Sequence, residues 1–256
     1  MNRSPPGLYR RPAIPIELIG IYRIMTATLV PPTAVSVRRR ARLTAREAAD
    51  VDRSLAGATP AEIVRWARDT FGARLVLTAS FADTTLIDIA TGVDRDIEVV
   101  FLDTGFHFAE TLNTVRRAME RYSLNLTVVR PDHDAADVWA SGTEACCAAR
   151  KVAPLDRFLL DHADAWLSGL RRADDPGRAG APIVSIDKRG LVKVNPMAAM
   201  TDDEYDAYID EHDVVVNTLR FDGYASIGCW PCTEPSTDGR SGRWVGTGKT
   251  ECGLHI

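Results

Sequence analysis

Between residues 59 and 130 the chain alternates runs carrying helix signals with short apolar runs of strand length. This alternation restricts the fold more than any other feature. Thr59-Pro60-Ala61-Glu62 opens a helix, with Thr59 as cap and Pro60 in the first turn, and Phe71-Gly72 closes it. RLVLTA (74–79), IEVVFL (97–102) and NLTVVR (125–130) read as strands, separated by helices over 84–91 and 108–122. Strands joined through helices need crossover connections, which make them parallel. The expectation is an α/β protein, a Rossmann-like parallel sheet flanked by helices. AWLSGL (165–170) and PIVSI (182–186) add two strand-like runs, LVKVN (191–195) is expected to pair with the second, and 202–212 reads as helix.

Around this core, 46–235, two segments differ in composition. Residues 1–45 form an N-terminal extension whose first part, rich in Pro and Arg, reads either as disordered or as a start set too early, since Met25 follows it. From Pro235 onward Ser, Thr, Gly, Arg and Lys replace apolar residues, so 236–256 reads as a mobile tail. With 45% apolar residues the core is sizeable, and a net charge of −4 gives no reason to expect nucleic acid or an anionic membrane as partner. No apolar run approaches the roughly 18 residues of a membrane span, and the N-terminus lacks a secretory core, so a cytoplasmic protein is expected.

Ser80, Asp103-Thr104-Gly105 and Arg171-Arg172 each follow a predicted strand. In an open parallel sheet the carboxyl ends of the strands face the ligand crevice, so three polar or flexible segments converge on one mouth.

There are five cysteines, an odd number. Cys146-Cys147 and Cys229-Trp230-Pro231-Cys232 form two close pairs, and four thiolates so arranged enclose either tetrahedral zinc or an iron–sulfur cluster. Adjacent cysteines diverge on one backbone, which favours the bulkier cluster. Cys252 is left over, in Lys249-Thr250-Glu251-Cys252-Gly253-Leu254-His255-Ile256. Nearby Lys249 and His255 would stabilise its thiolate and make it a nucleophile; the bland alternative is a passive tail thiol.

Seven blocks then carry a resemblance, in order: FLDTGFHFAET (101–111), CCAARKVAPL (146–155), WLSGLRR (166–172), KVNPMAA (193–199), IGCWPCT (227–233), GRSGRW (239–244) and KTECGLH (249–255). From about Leu75 to its end the chain resembles assimilatory adenylyl-sulfate reductases of the bacterial, cluster-containing type. The resemblance implies an adenine-nucleotide α-hydrolase-like fold and a 4Fe–4S cluster on Cys146, Cys147, Cys229 and Cys232. It also implies Cys252 as the nucleophile that takes the sulfonate group of adenylyl sulfate, with thioredoxin releasing sulfite. The loop Ala79-Ser80-Phe81-Ala82-Asp83-Thr84 is one residue shorter than the family usually carries, and 131–145 is abbreviated.

An anionic thiolate approaching a sulfate needs cations. The expected ones are Lys151, Arg171, Arg172, Arg240 and Arg243, with His255 beside the nucleophile. Ser80, Asp83 and Asp103 are the expected nucleotide contacts, and His107 is a weaker one. Lys151, five residues after Cys146, is expected to face both cluster and substrate. Homo-oligomerisation stays open. Reduction of the 3′-phosphorylated substrate is the nearest alternative. A nucleotide-binding iron–sulfur redox sensor is the alternative from another class, and it would not need Cys252. ATP pyrophosphatase chemistry is disfavoured because no SGGxDS-type loop follows the first strand.

Overall fold

The computed structural model describes residues 23–25, 43–132, 138–237, 239–249, 251 and 253–254. In chain order the elements are β1 (Arg23–Met25), α1 (Ala45–Ser54), α2 (Pro60–Phe71), β2 (Leu75–Ala79), α3 (Thr85–Val93), β3 (Glu98–Leu102) and α4 (Ala109–Tyr122). Then follow β4 (Asn125–Val129), α5 (Thr143–Cys147), α6 (Ala153–His162), β5 (Ala165–Ser168), β6 (Val184–Ile186), β7 (Val192–Val194) and α7 (Asp202–Glu211). The helix starts are chemical. Thr59 caps α2 by accepting from the Glu62 amide at 3.3 Å while the Glu62 carboxylate accepts from the Thr59 amide at 2.8 Å, and Thr201 with Glu204 does the same for α7.

The strands form one seven-stranded sheet in the order β1-β4-β3-β2-β5-β7-β6, parallel throughout except that β6 runs antiparallel to β7. The late pairing of 191–195 with 182–186 is as expected. β1, which pairs with β4, lies within the stretch read as an extension. On the opposite edge, α1 packs along β6, and Asp52 Oδ1 accepts from the amides of Ile183 and Val184 at 2.6 and 3.0 Å. That contact satisfies backbone donors an edge would otherwise expose.

Alternation sorts the strand side chains onto two faces. Leu75, Leu77, Val99, Phe101, Leu126 and Val128 pack with residues of α2, α3 and α4, whereas Val76, Val100 and Trp166 pack with Leu155, Phe158 and Leu159 of α6. The chain moves outward from β2 through β3 to β4, then returns to place β5 on the other side of β2. The reversal puts a crevice beyond the carboxyl ends of β2 and β5, where open α/β sheets bind their ligands. No helix among the described residues is long and apolar enough to cross a membrane.

Candidate active site

The crevice is a cleft of about 900 Å³. One wall is the loop after β2, which includes Ser80 and Asp83; another is the segment Gly169–Arg171 after β5. Phe81 turns the short first loop by adopting φ 55°, a left-handed conformation rare for a bulky side chain, while its ring stays buried and packs edge-on to Phe101 at 5.3 Å. Buried Asn217 holds the turn: its Nδ2 donates to the Phe81 carbonyl at 3.2 Å, and its amide donates to the Ala82 carbonyl at 3.1 Å. Backbone strain of this kind persists only where the surroundings over-determine it.

Asp83 is fully engaged at the start of α3. Its Oδ1 accepts from the Thr85 amide at 2.7 Å, and its Oδ2 accepts from the Tyr205 hydroxyl at 2.6 Å. Burial, and then the Asp83 carboxylate, push the Tyr205 pKa well above its ordinary value, so the hydroxyl remains a donor. Tyr205 is also flanked by guanidinium groups, Arg171 at 4.1 Å and Arg220 at 5.3 Å from its ring centre.

The four paired cysteines line one small pocket, with Thr104, Phe106, Thr143, Arg150, Lys151 and Trp244 completing the wall. Cys146 and Cys147 end α5 and lead into a π-helical turn, Ala148–Val152, that carries Arg150 and Lys151. Such turns recur at functional sites. Backbone contacts lock the other pair. Cys229 bridges His107, the Trp230 amide donates to the Phe106 carbonyl at 2.9 Å, and the Trp244 amide donates to the Cys232 carbonyl at 2.9 Å. Gly228 beside them leaves room for the Arg243 guanidinium, which a Cβ there would push aside.

Burial raises the Cys146 pKa and pushes Cys232 up to about 11, with neighbouring thiols adding to both, while Lys151 opposes the rise. Thr104 Oγ1 lies 3.3 Å from Cys229 Sγ, and Arg150 donates to the Thr104 carbonyl at 2.9 Å while lying over the Phe106 ring. Four soft donors around one buried space, flanked by cations, are a donor set for a thiophilic metal group. Among the described residues no three His, Cys, Asp or Glu are grouped as ligands of a single ion.

Lys151 lines both the thiol pocket and the cleft. Arg240 and Arg243 also line the cleft; Arg243 Nη1 donates to Ser226 Oγ and to the Ile227 carbonyl, each at 3.3 Å, and both guanidinium groups lie over the Trp244 ring. Arg171 reaches the cleft too, paired with Asp174 and Asp202 at 2.9 Å each.

Two expected contacts lie elsewhere. Arg172 is not among the residues lining the cleft: its Nε donates to the Ala181 carbonyl at 2.8 Å, because the chain turns away after Arg171. Asp103 is not in the cleft wall either; its carboxylate closes a turn on the Gly105 amide at 3.0 Å and pairs with Arg130 at 3.1 Å. His107 does line the cleft, and Nε2 sits 3.0 Å from the Leu102 carbonyl and 3.3 Å from the Thr104 amide. One nitrogen cannot serve both, and we assign donation to Leu102, the shorter contact. Burial holds the His107 pKa down.

Cys252 and His255 lie outside the described residues. Their neighbours show the tail folded onto the cleft. Glu251 and Leu254 line it, Lys249 pairs with Glu144 at 2.6 Å, and Lys188 Nζ donates to the Gly253 carbonyl at 2.8 Å. Sequence reasoning missed Arg178, Asn217, Tyr205 and Trp244. Only Trp244 stood inside a recognisable block, and the others act through partners distant in the chain.

Residues 74–235 match the family described as the phosphoadenosine phosphosulfate reductase domain. A protein of Mycobacteroides abscessus named adenosine 5′-phosphosulfate reductase is 45% identical over 213 residues, covering 78% of this chain and 90% of its own. A Mycobacterium tuberculosis protein of the same name is 43% identical over 243 residues, covering 83% and 93%. Among solved structures, the phosphoadenylyl-sulfate reductase of Candida auris superposes with a TM-score of 0.67 at 26% identity, over 75% of this chain and 98% of that one. An FMN adenylyltransferase of Candida glabrata shares the fold alone, with a TM-score of 0.54 at 14% identity over 73% and 67% of the two chains. With more than half its length inside the family's domain and a relative 45% identical over 78% of the chain, the chain belongs to the phosphoadenosine phosphosulfate reductase family.

Proposed function

We propose that this protein is a cytoplasmic reductase of sulfate assimilation that converts adenylyl sulfate to sulfite and AMP. The substrate is taken from the names of relatives at 43–45% identity. The observation that carries the site reading is Lys151: one ammonium lines both a four-thiol pocket and a nucleotide-sized cleft at the sheet's switch point.

Cys252 is the nucleophile. Its thiolate attacks the sulfate sulfur, the bond from sulfur to the bridging oxygen breaks, and AMP leaves with the electron pair. A cysteine S-sulfonate remains on the tail. A thiolate of an external dithiol of the thioredoxin class then attacks Cys252 Sγ, sulfite leaves, and the second thiol resolves the mixed disulfide. The dithiol supplies both electrons and ends as a disulfide.

Lys151, Arg240 and Arg243 meet the developing charge on the sulfate and phosphate oxygens, as cations fixed before the reaction begins. Ser80, in the loop held by Asn217, contacts the nucleotide, and His255 supports the thiolate. Asp83 and Arg171 shape the cleft through Tyr205 rather than by free charge. Cys146, Cys147, Cys229 and Cys232 would hold a 4Fe–4S cluster. Cys146 and Cys147 are adjacent and diverge on one backbone, which suits a bulky group with several metal atoms at its corners better than one tetrahedral zinc. When bound, that group would supply a buried charge beside Lys151, and no electrons.

The Candida auris likeness favours a second reading, in which the substrate carries a 3′-phosphate. Both readings are tested by sulfite release from each nucleotide, with a thioredoxin as reductant. The account expects adenylyl sulfate to have the higher kcat/KM and Cys252→Ser to abolish turnover without changing the visible absorbance. Full activity of the serine variant would contradict it.

A further inference from the structure

The residues on either side of position 252 are pinned by different means. On the N-terminal side, Glu251 Oε2 accepts from Arg178 Nε and Nη2 at 2.9 and 2.6 Å, and its other oxygen accepts from Arg240 Nη2 at 3.0 Å. On the C-terminal side, Lys188 holds the Gly253 carbonyl, and Leu254 packs against the cluster around Trp166, Leu155 and Phe158. Arg178 is itself fixed. Its Nη1 pairs with Asp174 at 3.2 Å, Asp174 pairs with Arg171, and Arg171 pairs with Asp202 at the start of α7. A line of alternating charges therefore runs from α7 along the wall of the cleft to the tail.

Exposed ion pairs contribute little, because water screens them and two long side chains must be ordered. This one differs. The side chains of Arg178, Glu251 and Arg240 retain only 11, 21 and 12% of their accessible surface. Arg178 is ordered by a second carboxylate, and Arg240 lies over the Trp244 ring at 5.4 Å from its centre. Only a carboxylate can accept from both guanidinium groups with both of its oxygens; a carboxamide loses one acceptor.

We propose that Glu251 is a positioning residue for the tail and Arg178 its fixed anchor. Together they hold the closed arrangement in which the neighbouring thiol is presented to the substrate. The inference rests on Cys252 being the nucleophile. It assigns Arg178 a role by geometry, since the two partners stand 73 residues apart in the chain. Opening exchanges these contacts for water and exposes the tail to the dithiol, so the same pair sets the balance between attack and release.

The test uses anaerobically purified holoprotein and follows the tail peptide by mass spectrometry. Two rates are compared in wild type, Glu251→Gln, Arg178→Ala and the double variant. One is transfer of the sulfonate group to Cys252 at saturating adenylyl sulfate without thiol; the other is alkylation of Cys252 by iodoacetamide without nucleotide. Each single variant should slow transfer at least tenfold, chiefly in the limiting rate rather than KM, and should speed alkylation severalfold. The double variant should be no worse than the poorer single one, because both remove the same contact. A general loss of structure would not give opposite signs in the two rates. Wild-type values for both rates in the single variants, or additive losses in the double, would overturn the clamp. Absence of transfer in wild-type protein would instead overturn the nucleophile, while the alkylation rates would still report on the clamp.

Discussion

The thiol pocket and the cleft share Lys151 as a common wall, yet different forces build them. The pocket is backbone work: a bridge between His107 and Cys229, and amides of Trp230 and Trp244 donating to carbonyls. The cleft is closed by side chains, chiefly Arg178, Glu251 and Arg240, whose contacts a charged solute can replace. Backbone contacts cannot exchange partners without local unfolding, so they suit a group that stays. Ion pairs can exchange, so they suit a reactant that comes and goes and a tail that must follow it. On the proposed function, Lys151 would be where a resident charge acts on a transient one.

The largest effect that would break this division comes from the pocket. Cys229→Ser should lose visible absorbance and most of about four irons per chain, together with turnover. Retention of iron and colour would show that Cys229 is not a ligand. Lys151→Ala should keep the iron and the colour but lose on the order of a hundredfold in kcat/KM, as removal of one preorganised charge contact does. Parallel loss of absorbance would make Lys151 part of the pocket alone.

Smaller effects sharpen the cleft side. Asn217→Ala should lower stability by about 1–3 kcal/mol, because the carbonyls of Phe81 and Ala82 lose buried donor contacts or their ordering; denaturant unfolding measures this, and KM should rise with it. The smallest effect is at Tyr205. Its folded pKa lies above the unfolded value, so its contribution is intact below about pH 10 and falls as pH rises beyond that. Tyr205→Phe should flatten the alkaline slope of stability by up to about 1.4 kcal/mol per pH unit. An unchanged slope would mean that the hydroxyl is not held protonated.

Much of the fold was legible because its signals are local. Thr59-Pro60 and Gly72 mark the ends of α2, and the apolar runs 75–79, 98–102 and 125–129 become central strands at nearly those bounds. The thiol pocket was legible too, since paired cysteines have few other uses. Position relative to a ligand was not. Asp103 and Arg172 both follow strands, as a crevice residue should, but one closes a turn and the other turns onto Ala181. Arg178 and Asn217 carried no signal, because what defines each is a partner far along the chain. The tail reads as mobile by composition, yet its described residue Glu251 lines the cleft and pairs with Arg178 and Arg240.

The most direct test joins both regions in one experiment. Anaerobic holoprotein is mixed with adenylyl sulfate without thiol, and the tail peptide is weighed while visible absorbance is recorded. The account predicts a mass gain of about 80 Da, one SO3 group, on the Cys252 peptide, released as sulfite by a dithiol, with absorbance unchanged throughout. Sulfite formed with bleaching and no adduct on Cys252, from protein with a full complement of iron, would contradict it.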